Sequence, residues 1–271
     1  MSVIELVRLA LARLAVSRLR AALTMLGIII GVASVIALVA VGNGATSGIT
    51  TQLESLGTNL LTVNPGATTT GLVRGAAGSS TTLTTEDATA LTTLGGVAAV
   101  APAAQTQQVV VAGALNTTTT IIGTTADYAQ VRNFDVWQGA FLNAAEVTSG
   151  VRVAVLGKTT ADDLGLGASS IGSTISVGGL PFQVIGILQP KGSVGFVDQD
   201  DQVVVPLPAV EKYFTGSDSI RSISVSVATA EQMTPVTNEI TTTLRDRHDL
   251  APTDTSDFSI TNQAQLLSTV G

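Results

Sequence analysis

The dominant hydrophobic feature of the chain is an uninterrupted apolar stretch at residues 21–42, and no charged residue occurs between positions 21 and 53. Eleven of its positions are Leu, Ile or Val, which together favour membrane insertion by about 5 kcal/mol. As a helix this stretch would measure roughly 33 Å, enough to cross a hydrocarbon core of about 30 Å. The pattern therefore predicts one transmembrane helix, which we place at residues 21–45.

Basic residues lie on one side of this stretch. Arg8, Arg13, Arg18 and Arg20 precede it, and the next basic residue is Arg74. Because cytoplasmic flanks collect Lys and Arg, these four arginines are the predicted topology determinants, with the N-terminus inside the cell and the rest outside. A cleaved secretory signal is the alternative. It is disfavoured because the apolar run starts only at residue 21 and is longer than the ~7–15 residues of a signal core.

Residues 1–20 carry apolar side chains at helical spacing, namely Ile4, Val7, Leu11 and Leu14. This stripe predicts a cytoplasmic interfacial helix, and an inward extension of the membrane helix is the alternative. Within the membrane segment, Gly27 and Gly31 form a small-xxx-small pair that would let a second helix pack closely. After the segment, residues 43–56 are expected to continue as a helix.

The rest of the chain shows two kinds of pattern. A helix capped by Thr84 or Thr85 is flanked by predicted strands at 60–63 and 97–100. A helix at 231–247, with Val236, Ile240 and Leu244 in register, is flanked by strands at 221–228 and 258–261. The first of these strands alternates, with Ile223, Val225 and Val227 on one face. The segment between these two β-α-β patterns has short alternating runs at close spacing, which predict a small barrel or sandwich. Tight hairpin turns are expected at 113–116 and at Gly178 and Gly179, and residues 67–82 are expected to be a loop.

The predicted fold class is therefore α+β. One N-terminal transmembrane helix is followed by an extracytoplasmic α+β (β-α-β) subdomain at residues 46–104 and 215–271, which is interrupted by a small β-rich subdomain at residues 105–214.

The cysteine count and the charge of the chain exclude some kinds of site and disfavour some kinds of binding partner. The chain has no cysteine, which excludes disulfides, thiolate metal sites and cysteine nucleophiles. Residues 46–271 contain nine basic and nineteen acidic residues. This acidic balance disfavours nucleic acid as a partner, because nucleic-acid binding needs a basic surface. It also disfavours binding of the domain flat on anionic lipid headgroups.

Four features of the sequence are candidate chemical sites. The segment Gly157-Lys158-Thr159-Thr160 resembles a phosphate loop, but Arg152 stands where that motif needs its first glycine, so a strand-to-helix turn is predicted. His248 is predicted to be a solvated residue at a helix end. The acidic group at 198–201 lacks the glycine and distal glutamate of a calcium loop, so a solvated turn is predicted. Trp137 is expected in the core, with a ligand platform as the alternative. No catalytic, cofactor-binding or metal-binding residue and no cofactor is predicted.

Several segments carry a resemblance to the MacB-type, or FtsX-like, permeases of ABC transporters. They are LRAALTMLGIIIGVASVIALVAVGNGA (19–45), LESLGTNLLTVNPG (53–66), TLTTEDATAL (82–91), VAAVAP (97–102), IIGTTADYAQVRNFDVWQGAFL (121–142), VAVLGKTTADDL (153–164) and PFQVIGIL (181–188). The resemblance implies that residues 46–270 are the extracytoplasmic core domain of that family, built from an α+β part and an inserted β-rich part. Where the family commonly has Leu-Phe-Gly, this chain has Leu164-Gly165-Leu166-Gly167.

The resemblance also implies a function for the chain and its partners. It would be a permease subunit, or a fragment of one, that relays motion from a separate ABC ATPase to the extracytoplasmic domain for export or release of a substrate. The implied partners are that ATPase subunit, a second copy of the permease, a periplasmic adaptor protein and membrane lipid. Family permeases carry three further membrane helices after this domain, so we expect this sequence to be a permease fragment. A membrane-anchored binding or adaptor module without transport activity is the main alternative, and an exported hydrolase is a weaker one.

Overall fold

The computed structural model describes residue 5 and residues 18–54, 59–66, 69–70, 73–74, 81–194 and 197–262. The chain divides into two compact units with a boundary between residues 51 and 52. The first unit contains most of one long helix, and the second contains the sheet and the shorter helices of the described residues.

Helix α1 spans Arg18–Glu54 as one continuous helix of 37 residues. It includes the predicted membrane segment and passes through Gly42, Gly44 and Gly48, so the predicted helical continuation beyond the membrane segment is confirmed. The predicted interfacial helix at 1–20 lies outside the described residues, apart from residue 5 and residues 18–20.

The second unit is a mixed structure, and its elements are numbered here in chain order. The described strands are β1 (Leu60–Pro65), β2 (Thr69–Thr70), β3 (Val73–Arg74), β4 (Val97–Ala112), β5 (Leu115–Thr124), β6 (Val136–Gly139), β7 (Val153–Leu156), β8 (Thr174–Val177), β9 (Leu180–Leu188), β10 (Ser193–Val194), β11 (Val197–Asp198), β12 (Gln202–Pro206), β13 (Ser222–Val227) and β14 (Phe258–Asn262). The helices are α2 (Thr85–Leu91), α3 (Tyr128–Val131), α4 (Ala144–Ser149), α5 (Lys158–Asp163), α6 (Leu207–Val210) and α7 (Met233–Arg247). Single turns of 3₁₀ or π type occupy Ala168–Ser170, Glu211–Thr215 and Ala230–Gln232.

One end of the sheet has the strand order β14-β1-β13-β4, with each strand antiparallel to its neighbours. Helix α2 lies between β1 and β4 in the chain, and α7 lies between β13 and β14. Two β-α-β units therefore interleave their strands, which is the ferredoxin-like, or split β-α-β, arrangement. This arrangement confirms the predicted α+β class.

The rest of the sheet closes into a barrel. Strand β4 continues and pairs with β5, and the pairing then runs through β12, β7, β9 and β8 back to β4. The last link joins Val110 to Val177 and Val111 to Ser176. Of the two architectures that the strand spacing predicts, the structure has the barrel. Strand β6 pairs with the end of β9 that β8 leaves open.

Strand β4 belongs to both parts of this unit. Its 16 residues run without interruption from the ferredoxin-like part into the barrel. The predicted boundary between residues 104 and 105 therefore falls inside a strand, and the division of the core domain into two subdomains stays a prediction. Both predicted hairpin turns are present. The turn from β4 to β5 has two residues, Gly113 and Ala114, and is shorter than the predicted 113–116, whereas Gly178 and Gly179 join β8 to β9 as predicted.

The two long helices of this unit pack on one face of the sheet. Helix α2 begins at the predicted cap Thr84, whose hydroxyl accepts from the amide of Asp87. Helix α7 buries a stripe at helical spacing, namely Met233, Val236, Ile240 and Leu244. Each of these side chains, once buried, contributes about 1.5–3 kcal/mol. The three apolar positions predicted for α7, at 236, 240 and 244, are all in this stripe.

The opposite face of the sheet is covered by the segment that follows β5. Tyr128, Val131 and Phe134 pack there against Leu60, Ala103 and other buried side chains of the sheet, and the rings of Tyr128 and Phe134 stack with centroids 5.8 Å apart. The sheet therefore has apolar side chains on both faces, which explains why its strands read as β-branched runs with few charged residues.

Candidate functional site

The first candidate site is the apolar part of α1. Residues Ala22–Val41 have a mean hydropathy of 2.6, and none of their side chains is buried. Twenty residues of helix extend over roughly 30 Å, the thickness of a hydrocarbon core. The polar hydroxyl of Ser34 donates to the carbonyl of Ile30 at 2.7 Å, so its hydrogen-bonding need is met within the helix. This segment has the length, the hydropathy and the exposed surface of a membrane span.

Gly27 and Gly31 lie in this exposed segment. A Cβ atom added at either position would meet no atom of the described residues within 4 Å. Of the predicted topology determinants, Arg18 and Arg20 lie in the first turn of α1, and Arg8 and Arg13 lie outside the described residues. The packing role of the glycines and the orienting role of the arginines stay predictions.

The second candidate is the turn from β7 into α5, which contains Gly157 and Lys158. The amide of Gly157 donates to the carbonyl of Gln202 at 2.8 Å, and the amide of Thr160 donates to the carbonyl of Asp200 at 3.4 Å. A phosphate loop needs such amides to point at its ligand. Here both amides are hydrogen-bonded to backbone carbonyls at the start of β12 and just before it. The Lys158 ammonium forms an ion pair with Asp162 one turn along the helix. The predicted strand-to-helix turn is confirmed, with β7 ending at Leu156 and α5 beginning at Lys158.

The acidic group at 198–201 closes over this turn, and its Asp200 is buried and not solvated as predicted, whereas Asp198 and Asp201 are half-buried. The Asp200 residue is 5% exposed, and its carboxylate accepts from the amides of Lys191 at 2.9 and 3.0 Å and of Gly192 at 2.8 Å. Asp198 accepts from the Thr159 hydroxyl at 2.8 Å. These carboxylates are bonded to donors of the protein, and the described residues contain no group of three or more His, Cys, Asp or Glu side chains arranged to hold a metal.

Trp137 lies on the surface and not in the core. Its side chain is 44% exposed, and the Lys158 ammonium lies 5.9 Å from its ring centroid. The sequence prediction of a core tryptophan is wrong because β6 is an edge strand whose outward positions are left uncovered.

Lys191 is a feature that sequence reasoning missed. Its ammonium donates to the carbonyl of Arg132 at 2.8 Å and lies 4.5 Å from the ring centroid of Phe134. Burial, together with the nearby Arg132 guanidinium, lowers the pKa of Lys191 to about 8. No local sequence signal marks it, because Arg132 and Phe134 are distant in the chain.

His248 is buried, which contradicts the prediction of a solvated histidine. Its side chain is 8% exposed. Nδ1 lies 2.9 and 3.0 Å from the carboxylate oxygens of Asp257, and Nε2 lies 3.3 Å from Asp87 Oδ2. Arg247 donates to the other oxygen of Asp87 at 2.6 Å. The described residues thus bring two carboxylates, an imidazole and a guanidinium together where two helices meet the end of the sheet.

An exposed apolar helix of membrane-spanning length, joined in the chain to a ferredoxin-like part with an inserted barrel, defines the class of membrane-anchored proteins. Residues 21–243 match the family model of the MacB-like periplasmic core domain. The chain therefore belongs to this family.

The relatives of the chain are transporter proteins. It is 38% identical over 268 residues to the macrolide export ATP-binding/permease protein MacB of Azoarcus sp. (strain BH72), covering 98% of this chain and 40% of that protein. It is 33% identical to the pyoverdine export ATP-binding/permease protein PvdT of Pseudomonas entomophila (strain L48), covering 93% of this chain and 37% of that protein. The chain spans about two fifths of the length of these relatives.

Two solved structures share the fold. The periplasmic region of MacB from Actinobacillus actinomycetemcomitans aligns with a TM-score of 0.68 at 23% identity, covering 80% of this chain and 95% of that one. The extracellular domain of the noncanonic ABC-type transporter YknZ from Gram-positive bacteria aligns with a TM-score of 0.61 at 22% identity, covering 75% of this chain and 100% of that one.

Proposed function

We propose that this chain is part of the permease of an ABC transporter, in which α1 crosses the membrane and the sheet domain stands outside the cytoplasm. The observation that carries this proposal is the joining of an unburied apolar span, Ala22–Val41, to a MacB-like periplasmic core domain. The named relatives are export ATP-binding/permease proteins of which this chain spans about two fifths. We therefore assign ATP hydrolysis to an ATPase outside these residues, either a partner subunit or another segment of a longer polypeptide. Export or release of a substrate outside the cytoplasm is the proposed outcome, with a periplasmic adaptor as a further partner.

The proposed orientation has the N-terminus in the cytoplasm. It is supported by Arg8, Arg13, Arg18 and Arg20, which all precede the span, while no basic residue follows it before Arg74. Cytoplasmic flanks of membrane helices are enriched in such residues.

Orientation can be tested with single cysteines because the chain has none of its own. Ser2→Cys should resist a membrane-impermeant maleimide in intact cells or spheroplasts and react after lysis. Ala114→Cys, at the exposed turn between β4 and β5, should react before lysis. The cysteine-free chain is the matched control. Labelling of Ser2→Cys before lysis, or protection of Ala114→Cys, would overturn the orientation.

The proposed mechanical role of α1 is to relay motion from the ATPase to the sheet domain. A continuous helix of 37 residues supports this role, because an unbroken helix is stiff along its axis. A proline at position 35 or 37 would kink it by removing a backbone hydrogen bond. In a complete transporter that carries this segment, Val35→Pro or Ala37→Pro should abolish export while Val35→Ala retains it. Unchanged export by the proline variants would rule out the relay.

The proposed transporter contains a second copy of this chain, and Gly27 and Gly31 are proposed to pack α1 against a membrane helix. Both positions have open space around them, and small residues at this spacing let helices approach closely. Replacing both by Leu should reduce crosslinking between copies, whereas Ala33→Leu with Ala37→Leu should leave it unchanged. Equal crosslinking of the two double variants would refute this role.

The alternative function is a membrane-anchored binding or adaptor module without transport activity. It shares the proposed topology but needs no relay. Retained binding of an adaptor to the sheet domain, together with export that is unchanged when the whole protein carrying this chain is deleted, would favour it.

A further inference from the structure

The buried His248 lies between carboxylates from two different elements. Asp87 belongs to the first turn of α2 and faces Nε2, whereas Asp257 directly precedes β14 and faces Nδ1. The ring of Phe258 meets the imidazole edge to face, with centroids 6.0 Å apart. Since the chain has a single histidine, the arrangement is unique in this molecule.

Counting protons shows which form of the imidazole fits this site. An ionised carboxylate only accepts hydrogen bonds, and a neutral imidazole has one N–H donor and one lone pair. With carboxylates at both ring nitrogens, the neutral ring would direct its lone pair at one of them. The imidazolium has two donors and can satisfy both Asp87 and Asp257, each through a charge-assisted hydrogen bond.

These bonds fasten several parts of the ferredoxin-like region. Asp87 also accepts from the amide and the hydroxyl of Thr84, each at 2.9 Å, which forms the cap of α2. The carbonyl of Asp257 accepts from the amide of Gly66 at 2.6 Å, just beyond the end of β1. His248 follows the last residue of α7. One imidazole therefore links the start of α2, the end of α7 and the adjoining ends of β1 and β14.

We propose that His248, Asp87 and Asp257 form a pH-sensitive latch that holds α2 and α7 to the β1–β14 end of the sheet when the imidazole is protonated and loosens when it is not. Further charged side chains near the latch come from α2 and α7. Arg247 of α7 donates to Asp87 and lies 3.6 Å from the exposed Glu86 of α2. Arg245 is directed away, toward the carbonyls of residues 251 and 254.

The electrostatics give the latch its direction. Burial disfavours the charged ring, but the hydrogen bonds and charges of Asp257 and Asp87 outweigh it and raise the pKa of His248 above 6.5. A group whose pKa is higher in the folded state adds stability that is complete below its unfolded pKa of about 6.5 and is lost as the pH rises through the folded value. The latch is therefore strongest in mildly acidic surroundings.

The test compares the full native chain with His248→Gln in detergent micelles between pH 5.5 and 7.5. At pH 5.5 the native protein should have a higher melting temperature than the variant. The difference between the two melting temperatures should decrease by about 2–4 °C on going to pH 7.5. Taking the difference removes the contributions of other titrating groups, including Lys191. Asp249→Asn, at an exposed neighbour with φ +52° that asparagine tolerates, is the matched control and should give a pH-independent offset.

A second measurement reads the latch without unfolding the protein. The single imidazole gives one Cε1–H resonance, whose titration midpoint should lie above 6.5 in the native chain and fall in Asp257→Asn. A midpoint at or below 6.5, or melting curves of native chain and His248→Gln that stay parallel across the pH range, would overturn the latch.

Discussion

At the turn from β7 into α5, Gly157 is needed for the packing of two backbone segments. Gly157 has φ −69° and ψ 158°, an ordinary extended conformation, so glycine is not required for its dihedral angles. A Cβ atom at this position would lie 2.2 Å from the carbonyl oxygen of Asp200. The glycine is therefore required for the close approach of the 198–201 segment.

This close approach predicts the effect of a single methyl group. Gly157→Ala should destabilise the sheet domain by about 1–3 kcal/mol, because the backbone of residue 200 must move and lose its bonds to the turn. The control is Gly95→Ala, where an added Cβ meets no described atom within 4 Å. Urea denaturation of both variants measures the effect, and equal midpoints for Gly157→Ala and the native chain would contradict it.

The residues whose environments were predicted wrongly share one cause. His248, Asp200 and Trp137 have sequence neighbours that are typical of solvated turns or of a core strand. Their exposure depends on contacts with other segments: Asp87 reaches His248 from 161 positions away, and Asp200 accepts from the amides of Lys191 and Gly192 across a turn. Local sequence contains no record of such a contact, so composition and periodicity assign these side chains the environment typical of their type.

At the scale of elements, the periodic patterns of the sequence predict which positions of the longer helices and strands are buried. Helix α7 and strand β13 have the buried positions that the 3.6-residue and alternating patterns predict. Helix α4 is an element that the periodic patterns do not predict. Its signal was present, because Asn143 and Glu146 form a reciprocal capping box of the type that marks helix starts. Strand β6 and helix α6 are four residues each, too short for periodicity to detect.

The membrane assignment of α1 predicts a dependence on depth. Ile30 is near the middle of the apolar segment Ala22–Val41, and Val41 is at its end. Ile30→Arg should weaken membrane insertion by about 3 kcal/mol, whereas Val41→Arg can extend its guanidinium to the interface and should cost much less. Alkaline extraction of membranes compares the two variants. Equal retention in the membrane would argue against a span centred on Ile30.

At the scale of the whole molecule, β4 joins the ferredoxin-like part to the barrel in one continuous strand. Residues 52–270 form one compact unit. We therefore expect this unit to unfold in one transition despite its two-part topology. The single tryptophan, Trp137, lies beside the barrel and the single histidine, His248, lies in the ferredoxin-like part, so each part has its own natural probe.

Phe182→Ala tests this cooperativity. Phe182 is fully buried in the core and stacks on Phe214 with centroids 6.2 Å apart, so its truncation should cost about 3–5 kcal/mol. Trp137 emission and the His248 NMR signal should shift to lower urea concentration together, while Val109→Ala, at an exposed position on β4, should move neither by much. A midpoint that changes for one probe alone would show that the two parts unfold separately.

The amino-acid sequence alone determined the features that depend on local physics: an apolar span, its arginine-rich flank, the caps and stripes of the helices, and the alternation of the strands. Each of these arises from residues within a few turns or strand positions of one another. The tertiary structure alone decided the order β14-β1-β13-β4, the closure of the barrel through β8 and the burial of His248 between Asp87 and Asp257. These depend on contacts between segments far apart in the chain, which neither periodicity nor composition encodes.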